Sequence, residues 1–308
     1  MPRPTACPIL FLLVAFLAGC KTNPSTGRNQ LLLIPPEQTR QMGIEAMPQL
    51  VGEYGGEYPS APLRAYVDRV GRDLMINVEE EYLQEPWEFT LLNSDVINAF
   101  ALPGGKVFIT VELLSRMDNE AQLAGVLGHE IGHVTALHVD ERISRQVAFE
   151  FGLSAAGLAT ESQLILVGAQ LFGNGYLLHF GRDQELEADS QGMKYMTRAM
   201  YDPAGMRQVM QILAEASSGS STPEFLSTHP HPESRIRQIN QLLRSTYAGT
   251  QGNPAYGMYA DRFQSEAVPH FPARGGQAAS LQPVDYCLHC RISRAAAAFS
   301  SAGMPGAP

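Results

Sequence analysis

One pentapeptide constrains this chain more than anything else in it. His129-Glu130-Ile131-Gly132-His133 lies inside 118–139, where Leu123, Leu127, Ile131 and Val134 recur at helical spacing. Asp118 or Asn119 can cap the start of that helix. With about 3.6 residues per turn, the two histidines leave one face a turn apart. Both imidazoles can then reach a single zinc ion, and Glu130 stands close enough to act as general base on the water it holds. The ligand face lies beside the apolar stripe, which predicts a cleft rather than an open surface.

Catalytic zinc takes three protein ligands as a rule, so a third must come from elsewhere. A metzincin arrangement is excluded, because Ala136 and Val139 stand where that pattern needs Gly and His. His138, five residues beyond His133, falls about 140° around a continuous helix and is read as structural. The segment 182–189 offers Glu185 and Asp189, four apart and on one helix face, with Glu187 turned away. That geometry selects Glu185 as the third ligand. Asp189 is left to hydrogen-bond the far nitrogen of a ligand histidine.

Around this pair of segments the pattern is mostly helical. Leu63, Tyr66, Val67, Val70 and Leu74 predict a helix over 62–77. Strand character takes over in 87–92 and 107–111, and Pro103-Gly104-Gly105 between them is a turn signal. No internal repeat is visible, and no helical-repeat array follows the core.

The residues carry a family resemblance. Gly128-His129-Glu130-Ile131-Gly132-His133-Val134, followed by Glu185-Leu186-Glu187-Ala188-Asp189, is similar to the gluzincin metallopeptidases related to HtpX and the CaaX prenyl endopeptidase. Asn98-Ala99-Phe100-Ala101-Leu102-Pro103-Gly104-Gly105, Tyr201-Asp202-Pro203-Ala204-Gly205-Met206 and Thr228-His229-Pro230-His231-Pro232-Glu233-Ser234-Arg235-Ile236 extend the likeness over about 31–245. The chain is more like the periplasmic members, such as LoiP and BepA, than the polytopic membrane ones. The resemblance implies an α+β, mainly α-helical fold: a zincin-like metallopeptidase domain with a small β-sheet beside the active-site helix. It also implies one Zn2+ ion and an endopeptidase acting on unfolded or misassembled outer-membrane proteins. In such relatives the histidine matching His229 occupies the open position on zinc in a resting state, which makes His229 a candidate latency ligand. Tyr176, His179 and Arg182 are candidate oxyanion stabilisers. The contrasting class is an envelope chaperone or assembly factor that retains the fold with little proteolysis, although a pure binder gains nothing from Glu130.

The two ends read differently from the middle. In 1–19, Arg3 precedes an apolar run over 9–18, far shorter than the roughly 20 residues that span a membrane. This is the pattern of a secretory signal. It ends Leu17-Ala18-Gly19-Cys20, which resembles a bacterial lipoprotein signal and makes Cys20 the expected lipidated residue. Residues 20–30 are expected to be a polar tether, and Lys21 rather than Asp points to the inner leaflet of the outer membrane, facing the periplasm. The peptidase domain is assigned to 31–247. Gly, Pro, Ala, Ser and Gln dominate 248–308, which is expected to be a disordered low-complexity tail. Its Cys287 and Cys290 form a C-x-x-C pair without a matching second half, and read as a local disulfide or inert thiols. With 22 Lys+Arg against 31 Asp+Glu, the net charge of −9 excludes a nucleic-acid footprint. Expected partners are unfolded polypeptides, the membrane through the lipid at Cys20, and outer-membrane assembly machinery.

Overall fold

A computed structural model describes residues 20–151, 179–217, 223–230 and 232–272. The signal segment, Tyr176 and the Cys287/Cys290 pair lie outside the described residues, as does the side chain of Cys20. The chain opens with a hairpin, β1 (Cys20–Thr22) and β2 (Asn29–Leu31), followed by α1 (Pro36–Glu53) and α2 (Ala61–Met75). Then come β3 (Glu88–Leu92), β4 (Ala99–Leu102), β5 (Lys106–Thr110) and α3 (Val111–Leu114). The second half is helical: α4 (Glu120–Thr135), α5 (His138–Phe151), α6 (Arg182–Arg198), α7 (Ala204–Ser217), α8 (Glu224–Thr228), α9 (Pro232–Arg244) and α10 (Ala260–Glu266). The fold is therefore α+β and mainly helical. No helix among the described residues is long and apolar enough to cross a membrane.

The three-stranded sheet has the order β3-β5-β4, with β3 parallel and β4 antiparallel to β5. β4 (Ala-Phe-Ala-Leu) and the centre of β5 (Val-Phe-Ile) read as unbroken apolar runs because both faces are covered. Phe89, Leu91, Ala101, Val107 and Ile109 belong to the main core with α2, α4, α6 and α7. Leu92, Phe100, Leu102 and Phe108 face a second core with Met42 and Leu50 of α1 and Ile143 and Val147 of α5. Phe100 and Phe108 are directly cross-paired, their rings stacked 4.7 Å apart. The predicted turn is present: Gly104 and Gly105 both have positive φ, 81° and 72°. At Gly105 any Cβ would strike the Trp87 ring, 2.9 Å away.

Three expectations change. The predicted helix over 118–139 is two helices. Asn119 is the cap, its side chain accepting from the Gln122 amide at 3.1 Å, but α4 stops at Thr135. Leu137 then takes a left-handed φ of 55°, and His138 starts a new helix. Residues 20–30 are not a free tether. Asn23 and Gln30 are buried, and their side chains donate to the carbonyls of Thr135 (2.9 Å) and Ala136 (2.6 Å), at the end of α4. Helix ends leave such carbonyls without partners, which is what the hairpin supplies. Finally, the domain does not end at 247. α10 buries Phe263 completely, edge-on to Tyr66 at 6.0 Å. Phe263 and Ala267 in the core, with Met258, Tyr259 and Phe271 packed against it, hold this Gly- and Pro-rich stretch without any periodicity to announce it.

Candidate metal centre

Small residues bring the two motif helices together. A Cβ on Gly132 would meet the Ala188 carbonyl oxygen at 2.7 Å, and one on Gly192 would meet the Gly128 carbonyl carbon at 2.9 Å. With backbones this close, α4 and α6 point His129, His133 and Glu185 at one spot. α8 ends there too, capped by His229. One ligand atom from each of these four residues falls within a sphere of contacts no wider than 4.8 Å, and all four side chains are buried.

The spacing suits a tetrahedral metal. The Nε2 atoms of His129 and His133 are 3.1 Å apart, and Glu185 oxygens lie 3.5 and 3.4 Å from them. His229 Nδ1 is 3.2 Å from His129 Nε2 and 3.0 Å from Glu185 Oε1. Metal–ligand distances of about 2.0–2.1 Å in a tetrahedron separate the donors by about 3.3–3.4 Å. Glu185 Oε2 makes an ion pair with Arg235 Nη1 at 2.7 Å but no aligned hydrogen bond among the described residues, which leaves a lone pair for an ion. The residues therefore fit the metal that the two motifs imply.

Electrostatics point the same way. Burial pushes His129 down to about 4 and His133 well below its usual value, which keeps both rings neutral as ligands require. Burial works against the charge on Glu185, but His229 and Arg235 outweigh it and hold the carboxyl well below its ordinary range. Glu130 is different. It is wholly buried, neither oxygen accepts a hydrogen bond among the described residues, His229 Nε2 is 3.7 Å from Oε1, and burial pushes its pKa up to about 7. Rings seal the site: Phe180 stacks on His133 at 3.8 Å and Phe225 on His229 at 4.4 Å.

The outer contacts are as informative. Asp189 accepts from His129 Nδ1 at 2.9 Å, the placement expected from its position one turn beyond Glu185. His179 and Arg182 do not join the cluster, since both are exposed while the four donors are enclosed. Arg182 is the first residue of α6 and is exposed, as is Asp183 after it. The guanidinium that does reach the cluster belongs to Arg235 on α9. Its Nε and Nη2 donate to Asp189 at 2.8 and 2.6 Å, and Nη1 sits 2.7 Å from Glu185 Oε2. Sequence reasoning passed over it. The available signal was its register: Arg235, Ile239 and Leu243 are the buried residues of α9, four apart, so a charge occupies a core position.

Comparison with known proteins places this geometry in context. The model for peptidase family M48 matches residues 62–243. The chain is 33% identical over 238 residues to the beta-barrel assembly-enhancing protease of Escherichia coli (strain K12), covering 72% of this chain and 47% of that protein. It is 32% identical over 239 residues to the mitochondrial metalloendopeptidase OMA1 of Schizosaccharomyces pombe, covering 76% and 69%. A Yersinia pestis beta-barrel assembly-enhancing protease is 35% identical over 208 residues, covering 61% and 41%. The chain spans about half the length of the beta-barrel assembly-enhancing proteases it matches. The stretch matched by the family model takes in α4, α6 and α9, the same helices that converge on the buried donors: the chain belongs to peptidase family M48.

Proposed function

We propose that this protein is a zinc-dependent endopeptidase that cleaves unfolded or misassembled polypeptides in a bacterial cell envelope. The observation that carries the reading is the convergence of His129, His133 and Glu185 with a buried Glu130 beside them that accepts no hydrogen bond among the described residues. Zinc is the metal that this histidine–carboxylate set suits, and His129, His133 and Glu185 would hold it. When bound, such an ion makes water acidic near neutral pH and polarises a carbonyl.

The chain's own groups do the rest. Glu130, its pKa near 7, takes a proton from the attacking water and returns it to the leaving amine. Asp189 holds His129 in the tautomer whose Nε2 faces the cluster. His229 would supply a fourth ligand to the ion and would have to withdraw before a substrate carbonyl could enter, which makes it a latency ligand. β4 is the terminal strand of the sheet and packs against α4, but its four residues are buried, so an extended substrate that adds there as a strand must first displace what covers that edge. Lipidation at Cys20, tethering to the inner leaflet of the outer membrane and work alongside outer-membrane assembly machinery complete the proposal. The Leu17-Ala18-Gly19-Cys20 motif and the names of the bacterial relatives support that placement.

The test is cleavage of unfolded casein by wild type, Glu130→Gln and His229→Ala, with zinc measured on each. Glu130→Gln should keep its zinc and lose about 10²- to 10⁴-fold in rate, whereas His229→Ala should cleave faster than wild type. Equal cleavage by wild type and Glu130→Gln, or none by zinc-loaded wild type and zinc-loaded His229→Ala alike, would replace the enzyme with a binding module. Unchanged or slower cleavage by His229→Ala would reject latency.

A further inference from the structure

His133 is held from behind by residues that the peptidase motif does not include. Its Nε2 faces the cluster, 3.1 Å from His129 Nε2, so its Nδ1 carries the proton when the ring acts as a ligand. That Nδ1 lies 2.9 Å from Nδ1 of His138. Two imidazole nitrogens can share a hydrogen bond only if one is a bare acceptor. His138 must therefore accept at Nδ1 and keep its own proton on Nε2. Nε2 sits 2.8 Å from Glu187 Oε2, which accepts that proton's hydrogen bond and selects the tautomer. Glu187 Oε2 also accepts from Arg28 Nε at 3.2 Å, and the other end of the same guanidinium donates to Glu141 at 2.9 Å.

The line starts in the β1–β2 hairpin, the element whose side chains Asn23 and Gln30 cap the last carbonyls of α4. It ends on a donor of the metal cluster. The break at Leu137 makes this possible, because it turns His138 back toward α4 instead of carrying it around a continuous helix. The side chains of His133 and His138 are both fully buried, so water does not take over this hydrogen bond.

We infer that His138, Glu187 and Arg28 are positioning residues that fix the ring and tautomer of His133, so that the N-terminal hairpin sets how tightly the metal is held. The inference rests on the metallopeptidase reading and deepens it. A ligand histidine whose far N–H is held presents its lone pair in one direction, and loss of such a partner typically costs 10- to 100-fold in metal affinity. Arg28 acts through Glu187 and is partly exposed, so its effect is the smallest of the three.

The experiment measures zinc dissociation constants by competition with a chromophoric chelator, and records visible spectra of the cobalt-substituted protein, using the full chain. His138→Leu should bind zinc about 10- to 100-fold more weakly and shift the cobalt bands. His138→Gln, whose amide oxygen can still accept from His133 Nδ1, should recover most of the affinity. Glu187→Ala removes only a half-buried carboxylate and serves if His138→Leu does not fold. It should weaken zinc binding by roughly 3- to 10-fold, and Arg28→Ala by less. Folded His138→Leu or Glu187→Ala with wild-type affinity and spectrum would overturn the inference, as would a His138→Gln no better than His138→Leu. If the wild type itself takes up no stoichiometric zinc, it is the metallopeptidase reading that fails.

Discussion

A buried guanidinium between two carboxylates sets the electrostatic balance of the site. Arg235 is almost wholly inside the protein and faces both Asp189 and Glu185. A lone buried charge is far costlier than a buried pair, and removing one partner typically costs about 3–5 kcal/mol. Arg235→Met should destabilise the metal-free protein by about that amount, and by less once zinc is bound, because the ion neutralises Glu185 in its place. Urea unfolding with and without a chelator measures both; an equal loss in the two states would contradict this account. Arg235→Lys should rescue little, since a single ammonium cannot reproduce the two-pronged contact. At this scale the sequence reading placed His129, Glu130, His133, Glu185 and Asp189 in one cluster, because each pair shares a single helix face. It missed Arg235, whose partners are on another helix. It also assigned His138 to the wrong helix, because a left-handed leucine interrupts the pattern without any glycine or proline to mark it.

Between elements, the α4–α6 crossing decides whether the donors meet. The Gly132 Cα faces the Ala188 backbone with no room for a side chain. Gly132→Val must push the helices apart by the width of a methyl group or more, separating Glu185 from the two histidines. The expected outcome is a folded protein without stoichiometric zinc, read by metal analysis beside circular dichroism; retained zinc would show that the crossing tolerates a wider gap. The hairpin's hold on α6 has a pH signature instead. Burial alone would raise the pKa of Glu79, but hydrogen bonds from Ser25, Lys194 and Tyr195 outweigh it and bring the carboxyl down to about 2, from an ordinary 4.5. A depressed acid stabilises the fold above its unfolded pKa, and the benefit disappears as pH falls through the folded value. Glu79→Gln should thus lower the urea midpoint most near pH 7, with the gap narrowing from pH 5 toward pH 3. A gap that widened on acidification would have the wrong sign.

In the molecule as a whole, the N-terminus of α4 is tied down by residues far apart in sequence. Glu120, fully buried, accepts from Tyr66 and Tyr201, each at 2.7 Å, from Arg69 at 3.0 Å, and from Arg262 of α10. Replacing it with Ala takes the shared acceptor from two half-exposed arginines and two buried hydroxyls, and should cost about 1–3 kcal/mol in urea unfolding. A loss below about 1 kcal/mol, the scale of a surface pair, would mean that the network contributes only locally. The same network explains why the domain runs on past residue 247, since Arg262 and Phe263 on α10 close over α2 and α4.

Sequence alone determined what lies within one element: the histidines one turn apart on α4, Glu185 and Asp189 one turn apart on α6, and the glycine turn between β4 and β5. Backbone hydrogen bonding sets those spacings locally, so residue identity and period suffice to read them. Only the tertiary structure decided the partners across elements. His229 meets His129 from 100 residues away, and Arg235 from 106. Arg28 of the hairpin reaches Glu187 across 159 residues, and the enclosure of the site comes from rings on separate segments. Those contacts depend on how closely helices cross and where the chain turns back, properties of the packed whole that no single stretch of sequence encodes.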